Sequence, residues 1–495
     1  MKPRWILFFF NLLVVFSIVF GIIPREYALL NAIIIAGGLL LLPLQEAFLL
    51  FVSAIPFWIA LPLTPTFDSL SSGRVFMLLL TIRWLFVLPH WKPSVLIAHV
   101  KQNREEAYGI VFFLMSYLSL WVASDSIAGM EKILFLLNLA AIYPIASWLI
   151  RSKAVEFVEI RYALLVSTIF VIAIGWGQLL MAYLLRVSEF WPTWASMFSY
   201  NFYGLEFWNI VMNANVWFAY HADNVVTIRM FSTFSDAHAF GLYILVALVS
   251  VIAYLLNKSS ARARFFWWIF LLVGFCSIIF TQTRGLYLSY VLTLGIALAL
   301  SYRVRILQRE HIFQLARMNV KIFLIFLIVF PFMSFFLSFP QFREETTSED
   351  RYILFKRLTS IFDTEETSNQ GRTGIWKASM ESIIKHPLLG VGAGNFPVIL
   401  KQNTKLAKAG SSAHSAYLNV VAESGVIAGI GFIGFFFVIL QQAWRKFWHH
   451  ASALNLAIFM ITIWLLFYSI FDIAMFDERI MYLLLTTLAL RHYEE

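Results

Sequence analysis

Residues 238–256 read HAFGLYILVALVSVIAYLL, a stretch in which no residue after His238 carries a charge. A helix of roughly 17–25 such residues is long enough to cross the hydrocarbon core of a membrane. Comparable stretches recur along the chain, and we place fourteen of them, near residues 5–23, 27–43, 46–63, 75–90, 109–124, 133–150, 162–185, 238–256, 266–282, 285–301, 322–339, 421–441, 453–472 and 478–490. The sequence therefore predicts an all-α polytopic membrane protein with about fourteen transmembrane helices.

The composition agrees with a protein that lies mostly in lipid. Of its 495 residues, 60% are hydrophobic and only 13% are charged, which is too apolar for a soluble domain. Cys276 is the sole cysteine, so an intrachain disulfide and a cysteine-rich metal cluster are excluded. The net charge of +9 could indicate nucleic acid, but the basic residues are scattered between apolar spans. We therefore predict membrane lipids, and no nucleic acid, as partners.

The distribution of Lys and Arg predicts the orientation of the chain, because short cytoplasmic connections carry an excess of these residues. The excess falls in alternate connections: Lys2/Arg4, Lys92/Lys101/Arg104, Arg151/Lys153/Arg161, Lys258/Arg262/Arg264, Arg303/Arg305/Arg309/Arg317/Lys321 and Arg445/Lys446. We expect both termini in the cytoplasm and the N-terminal apolar run to be retained as the first helix. Residues 1–495 then form a single integral membrane domain with two long extracytoplasmic loops, 187–237 and 340–420.

The larger loop is expected to contain a short amphipathic helix that begins at Arg372. This helix should end near Lys385, since the His386-Pro387 pair that follows disfavours helical geometry. Helical spacing separates an apolar face from a charged face, and such a helix could lie flat on the membrane. The apolar face consists of Trp376, Met380, Ile383 and Ile384, and the charged face of Lys377, Glu381 and Lys385.

Two arginines are predicted at the outer ends of spans. Arg284 lies in a very short outward turn, TQTRG at 281–285. An arginine at the centre of a span costs roughly 2.5–3.5 kcal/mol on insertion scales, so it needs a partner or a task. It either snorkels to the lipid headgroups or grips a phosphate bidentately. Arg229 alone would be a solvated loop residue, but together the two arginines suit a pyrophosphate. Arg372 is open to two roles, headgroup attraction and substrate binding.

Two further patterns resemble familiar sites only superficially. Asp236 and His238 are two candidate ligands without a third nearby, and we expect no metal and no cofactor. The glycine-rich segment GVGAGN at 390–395 lacks the preceding strand and the βαβ unit of a dinucleotide-binding loop. We expect its glycines to let the backbone turn sharply near a ligand or a neighbouring helix.

His414 is a candidate general base just before a span. Its unperturbed pKa near ~6.5 suits removal of a proton from a hydroxyl at neutral pH. Glu423 follows nine residues later. It either faces the same cavity, if the helix starts early, or pairs with a positive residue for packing.

Taken together, these motifs resemble the O-antigen ligase/polymerase family of bacterial membrane glycosyltransferases over an O-antigen ligase-like core at roughly residues 225–440. The resemblance rests on their order and shared outward topology: Arg229 with TFSDAHAFG at 233–241, TRG at 283–285, Arg372-x3-Trp376, HPLLGVGAGNF at 386–396, HSAYL at 414–418 and ESG at 423–425. The sequence departs from the family at Asp236-Ala237-His238, where many relatives have a proline-asparagine pair.

The resemblance implies a multi-pass protein of the bacterial inner membrane. It implies transfer of a glycan from an undecaprenyl-diphosphate carrier to a saccharide, lipid or protein acceptor, as in lipopolysaccharide assembly. By this resemblance, Arg229 and Arg284 hold the donor diphosphate, His414 activates the acceptor hydroxyl and Arg372 is the loop arginine. To these we add Glu423, Asp236 and His238 as candidate substrate-binding residues.

Two other functional classes compete with a glycosyltransferase. A transporter or flippase of lipid-linked oligosaccharide would also use many spans and a basic cavity, but such proteins tend to show repeated halves, and we find no repeat. A non-catalytic membrane scaffold leaves the outward cations unexplained. Within the enzyme class, ligase, polymerase and protein glycosylation all remain open, because the acceptor is chosen by loop shape.

Overall fold

The computed structural model describes residues 2–65, 67–88, 103–213, 217–220, 226–256, 261–337, 339, 341–342, 367–402 and 411–493. The helices are α1 Pro3–Val19, α2 Tyr27–Leu41, α3 Leu44–Ala54, α4 Ser72–Val87, α5 Arg104–Leu118, α6 Ser126–Ala140, α7 Ile142–Arg151, α8 Phe157–Leu184, α9 Val187–Pro192, α10 Tyr200–Tyr203, α11 Leu205–Asn213, α12 Ala237–Leu256, α13 Ala261–Phe280, α14 Arg284–Ile306, α15 Glu310–Leu337, α16 Thr367–Lys385, α17 Ala416–His450, α18 Ala453–Tyr468 and α19 Glu478–Ala489.

Two short antiparallel hairpins interrupt the helices. One pairs β1 (Ala60–Leu61) with β2 (Leu70–Ser71), and the other pairs β3 (Phe218–Tyr220) with β4 (Val226–Ile228). The second hairpin belongs to the predicted smaller loop, 187–237, and leads directly to Arg229. A turn of π-helix at Thr193–Ser199 joins α9 to α10. The other regular elements of the described residues are helices, as the apolar runs predict.

Each predicted span overlaps at least one helix, although the span 46–63 extends beyond α3 into β1. Six helices of the described chain are long and apolar enough to cross a membrane: Ser126–Arg151, Phe157–Leu184, Ala237–Leu256, Arg284–Ile306, Ile312–Leu337 and Ala416–His450. Shorter apolar helices lie at Pro3–Val19, Tyr27–Leu41, Leu44–Phe57, Arg264–Phe280 and Ala453–Tyr468. An all-α membrane protein is thereby confirmed, while the number of fourteen crossings stays a prediction.

Helix α12 lies at the centre of the bundle. It is apolar on every side and almost all of its residues are buried, packed against α13, α18 and α19. Helices α14 and α15 instead expose apolar side chains such as Val291 and Phe332, as expected of helices that border lipid. Because α12 is central, its first turn, which contains His238, is surrounded by the ends of neighbouring helices.

The longest helix, α17, is broken at Gly425, whose backbone has φ +87° and ψ +170°. A break within a membrane helix leaves backbone groups that must find partners. The segment after α16 supplies them: the amides of Val391 and Gly392 donate to the carbonyls of Ala422 and Glu423 at 3.0 and 2.9 Å, and the amide of Val426 donates to the carbonyl of Pro387 at 2.8 Å. The His-Pro and glycine-rich motif therefore supplies hydrogen-bond partners to the backbone groups that the break in α17 leaves unpaired.

The same segment is also fastened to the turn before α6. Asn395 Oδ1 accepts hydrogen bonds from Ser124 Oγ and from the Asp125 amide, both at 2.8 Å, and Asn395 Nδ2 donates to the Asp125 carbonyl at 3.0 Å. A Cβ atom on Gly392 would lie 2.5 Å from that of Ala123. The sequence predicted that these glycines lie near either a ligand or a neighbouring helix. The structure shows them packed against neighbouring helical segments.

Helix α16 ends at Lys385, where the His-Pro pair predicted. Its predicted apolar face is divided: Trp376 and Ile383 pack against the protein, whereas Met380 and Ile384 are 48% and 75% exposed. The packed side also includes Ser379. The four residues lie on one side of the helix, as predicted, but only part of that side is exposed. Contact of the exposed edge with the membrane stays a prediction.

Candidate active site

Arg229 is fastened to the turn that begins α14. Its backbone amide donates to the Trp217 carbonyl at 2.8 Å, which continues the hairpin beyond β4. The guanidinium Nε donates to the Thr281 carbonyl at 3.1 Å, and Nη2 donates to Thr283 Oγ1 at 3.2 Å. Burial lowers the pKa of Arg229, and the negative charge of Asp236 opposes that shift. The site therefore contains a guanidinium withdrawn from bulk water.

Arg284 directly follows Thr283 and is the first residue of α14. Its side chain is half-buried. The next residue, Gly285, packs so closely on α18 that an added Cβ atom would lie 3.1 Å from the ring of Tyr468. Arg229 therefore contacts the turn from which Arg284 begins α14, and the positive end of this 23-residue helix adds to the local charge.

His238 links this turn to the C-terminal end of α18. Its Nε2 lies 3.0 Å from Arg229 Nη2. Its Nδ1 lies 2.5 Å from the Tyr468 hydroxyl and 3.4 Å from Asp472 Oδ2. Asp236 has a more local task, because its Oδ1 accepts a hydrogen bond from the Ala239 amide at 2.9 Å. Asp236 therefore caps the start of α12, and its predicted contact with substrate stays a prediction.

Asp472 lies in the turn between α18 and α19 and was not among the predicted site residues. Burial and the charge of Asp236 raise the pKa of Asp472 to about 6, although Arg372 and Arg229 act in the opposite direction. Burial also raises the pKa of Asp477, in the same turn, to about 6. The sequence offered one signal, since Asp472, Asp477 and Glu478 cluster in this short connection.

His414 is held from two sides just before α17. The Trp376 indole of α16 donates to the Ala413 carbonyl at 2.9 Å, and the Ala416 amide donates to the Ser469 carbonyl at 2.9 Å. The backbone of His414 has φ +46°, in the left-handed region that side chains other than glycine rarely adopt. Such strain persists only where the surroundings hold it, and it often marks functional residues.

Arg372 lies one helical turn before Trp376, on the packed side of α16, and is half-buried. Burial and the positive charge of Arg372 lower the pKa of His414. The charge of Arg372 also lowers the pKa of Asp472. Arg372 therefore places His414 and Asp472 in one electrostatic neighbourhood, which links the loop helix to the turn that holds Arg229.

Glu423 is paired with Lys132 of α6, with Lys132 Nζ 2.5 Å from Glu423 Oε2. The Glu423 side chain is 5% exposed and that of Lys132 is 33% exposed. Of the two roles considered for Glu423, the structure shows the pairing with a positive residue. Its predicted role in substrate binding stays a prediction.

The pairing makes a stability prediction that separates these two roles. Glu423→Gln and Lys132→Met should each lower the free energy of unfolding by about 1–3 kcal/mol, because each leaves a partly buried charge without its partner. The double variant should lose less than the sum of the two. Thermal unfolding of the detergent-solubilised variants measures this coupling. Additive losses, with weaker donor binding in Glu423→Gln alone, would instead support a substrate contact.

Residues 268–433 match the family model described as O-Antigen ligase. This segment, about a third of the chain, is similar to the O-antigen ligase family. The resemblance drawn from the motifs is thereby confirmed, and it supports an O-antigen ligase-like function in polysaccharide assembly by a bacterial membrane protein. A search of the curated proteins finds no match. The family match gives no support to the transporter or flippase alternative.

The matched segment contains part of the site. Arg284, Arg372, His414 and Glu423 lie inside the matched segment. The residues of the cluster around Arg229 and His238 lie outside it: Arg229, Asp236 and His238 before it, and Tyr468 and Asp472 after it. Assembly of the site therefore requires helices on both sides of the matched segment.

Proposed function

We propose that this protein is a metal-independent membrane glycosyltransferase. It moves a glycan from undecaprenyl diphosphate to an acceptor hydroxyl at the outer face of the bacterial inner membrane, in a chain of about fourteen spans with both termini in the cytoplasm. One observation carries the proposal. The Arg229 guanidinium is hydrogen-bonded to the turn that precedes Arg284, and the segments that contain Arg372 and His414 lie in the same electrostatic neighbourhood. Cations and a base suited to this transfer come together at one end of the helices.

The arginines suit a diphosphate leaving group. A guanidinium has five N–H groups, and Arg229 uses three of them on Thr281, His238 and Thr283. Among the described residues, its Nη1 has no hydrogen-bond partner, which leaves two N–H groups for a phosphate. Fixed donors in a partly buried site stabilise developing negative charge more strongly than donors in water. Arg284, at the positive end of α14, supplies the second cation.

His414 suits the role of general base. Its pKa is lowered by burial and by Arg372, so the imidazole is neutral at pH 7 and can accept a proton. In the proposed step, the acceptor oxygen forms a bond to the anomeric carbon while its proton passes to His414. The bond from that carbon to the carrier diphosphate breaks, and the diphosphate leaves with the electron pair. Attack opposite the leaving group inverts the anomeric centre.

The direct test is transfer by the purified full-length protein in lipid nanodiscs supplied with lipid-linked glycan, acceptor and a chelator of divalent metals. A new glycosidic bond and released undecaprenyl diphosphate are expected, and His414→Ala should remove both products. Proteoliposomes test the alternative class, because a transporter would move the lipid-linked glycan without forming a glycosidic bond. That result, with no transfer to any acceptor, would overturn the proposal.

A strain that lacks the protein distinguishes the acceptor classes. Loss of all long chains from the lipid A–core indicates a ligase, since the finished polymer then has no route to its acceptor. A single repeat left on the acceptor indicates a polymerase. Unglycosylated protein with normal polysaccharide indicates protein glycosylation. Gel analysis of the surface polysaccharide and of the glycoproteins separates the three outcomes.

The assignment of His414 as the general base predicts how kcat/KM changes with pH. Because Arg372 lowers the pKa of His414, neutral His414 persists to lower pH, and kcat/KM falls only as the pH drops through that lowered pKa. Arg372→Gln should raise the pKa and move the acid limb of the pH profile to higher pH. The matched control is Lys377→Gln, an exposed cation on the same helix, which should leave the limb in place.

Asp472 titrates nearby and is also affected by Arg372. The two pH profiles are therefore measured again in an Asp472→Asn background. A shift that persists there assigns the acid limb to His414. A shift that disappears assigns it to Asp472 and contradicts the role of His414 as the base.

A further inference from the structure

The contacts of His238 determine which of its ring nitrogens carries the proton. Arg229 Nη2 lies 3.0 Å from His238 Nε2. A guanidinium donates hydrogen bonds and never accepts them, so Nε2 must offer its lone pair. The proton then lies on Nδ1, which faces the Tyr468 hydroxyl at 2.5 Å and Asp472 Oδ2 at 3.4 Å. His238 is therefore a neutral imidazole in the Nδ1–H form.

The charged groups around His238 come from several elements. Arg229, from the segment after β4, faces Nε2, whereas Tyr468 and Asp472, from α18 and its turn, face Nδ1. Asp236 precedes His238 at the start of α12, and the charge of Arg372 reaches Tyr468 and Asp472 from α16. A second proton on Nε2 would remove the acceptor of Arg229 and set two cations side by side. The arrangement is thus built for the neutral ring.

We propose that His238 is a positioning residue for Arg229 and does not itself bind the substrate. As a neutral Nδ1–H imidazole, it accepts a hydrogen bond from Nη2 and, with Thr281 and Thr283, fixes the guanidinium so that Nη1 donates to the donor diphosphate. Tyr468 holds the imidazole by accepting a hydrogen bond from Nδ1–H, and the Asp472 carboxylate lies 3.4 Å from the same nitrogen. The inference rests on the proposed function, because it requires that Arg229 bind the diphosphate.

The position of His238 in the fold favours a side chain that accepts a hydrogen bond. His238 stands in the first turn of the buried helix α12, where its ring is locked between a cation on one side and a phenol on the other. A side chain in that position needs a hydrogen-bond acceptor on the Arg229 side. Histidine supplies the acceptor. Its rigid ring also contacts Tyr468 of α18 on the other side, so the position of α18 determines where the acceptor lies relative to Arg229.

The first test compares two replacements of His238 by binding of farnesyl diphosphate, a short-chain diphosphate probe, to the full-length protein. His238→Leu removes the acceptor at similar volume and should weaken binding roughly 10- to 100-fold, as expected for a lost hydrogen bond to a charged group. His238→Gln keeps an acceptor at the position of Nε2 and should restore most of the affinity. A role in packing alone would not be rescued by the amide of Gln.

The second test is a double-mutant cycle between His238 and Arg229. If His238 acts through Arg229, His238→Leu should produce no further loss of farnesyl diphosphate affinity in an Arg229→Ala background. If His238 contacts the diphosphate itself, the two losses add and the inference is overturned. Should His238→Leu fail to fold, Tyr468→Phe takes its place. Removal of that hydroxyl should weaken binding by several-fold, about the value of one neutral hydrogen bond, and unchanged affinity overturns the inference.

The outcome also separates this inference from the proposed function. If Arg229→Ala leaves farnesyl diphosphate affinity unchanged, the donor site is elsewhere and the proposed function of this turn fails. If Arg229→Ala weakens binding while His238→Leu does not, Arg229 keeps its role and only the positioning by His238 is rejected.

Discussion

Replacement of Arg284 by alanine is expected to abolish glycan transfer, with a loss of about 10²- to 10³-fold or more in kcat/KM, the range typical of removing a fixed donor from an oxyanion site. The protein should still insert and fold. Arg284 is the first residue of α14, so its replacement leaves the helix interior unchanged. Transfer from lipid-linked glycan by the purified variant measures the loss.

Two further variants sharpen this prediction. Arg284→Lys keeps the charge but not the bidentate geometry, and it should recover only part of the activity. Arg303→Ala removes an exposed arginine near the other end of the same helix and should leave transfer unchanged. An active, correctly inserted Arg284→Ala protein would remove this residue from the centre of the mechanism.

Replacement of Gly425 by alanine is expected to prevent folding, or to lower the free energy of unfolding by about 3 kcal/mol or more. Its φ of +87° disfavours any side chain. A Cβ atom there would lie 2.0 Å from the carbonyl oxygen of Leu388, a backbone atom that cannot turn aside. The substitution forces apart α17 and the segment that satisfies its broken backbone. Yield after detergent extraction and thermal unfolding measure the effect.

Gly295 provides the matched control for this substitution. It lies within α14, and a Cβ atom added there meets nothing within 4 Å. Gly295→Ala should therefore be neutral, or stabilising by roughly 0.5–1 kcal/mol, because alanine favours helix over glycine. A Gly425→Ala protein that extracts and melts like Gly295→Ala would show that α17 does not depend on its break.

The membrane helices and the family could be predicted because both depend on short, continuous stretches of sequence. A helix in lipid satisfies its own backbone, so a run of apolar residues is enough to predict it. The motifs containing Arg284 and His414 were recognisable for a related reason, since each places a polar residue at the end of a span. The split face of α16 could not be predicted in the same way, because the neighbours of Trp376 lie in another segment.

The partners within the site were hidden by distance along the chain. Tyr468 contacts His238 across 230 residues, and no local pattern marks it. Glu423 left two roles open until Lys132, 291 residues away, was seen to pair with it. The glycine-rich motif likewise gained its explanation only from the break in α17. Each of these contacts joins segments whose spacing in sequence carries no information about their separation in space.

The sequence by itself determined that the chain is a helical membrane protein with cations and a histidine at the ends of its spans. Hydrophobic length and charge placement are sufficient for that conclusion, since the lipid acts on each helix separately. Only the tertiary structure decided which side chains meet. Arg229 contacts Thr283 and His238, and the carboxylate of Asp472 lies in the same cluster. Those pairings depend on how the helices pack side by side, and helix packing is a property of the whole bundle.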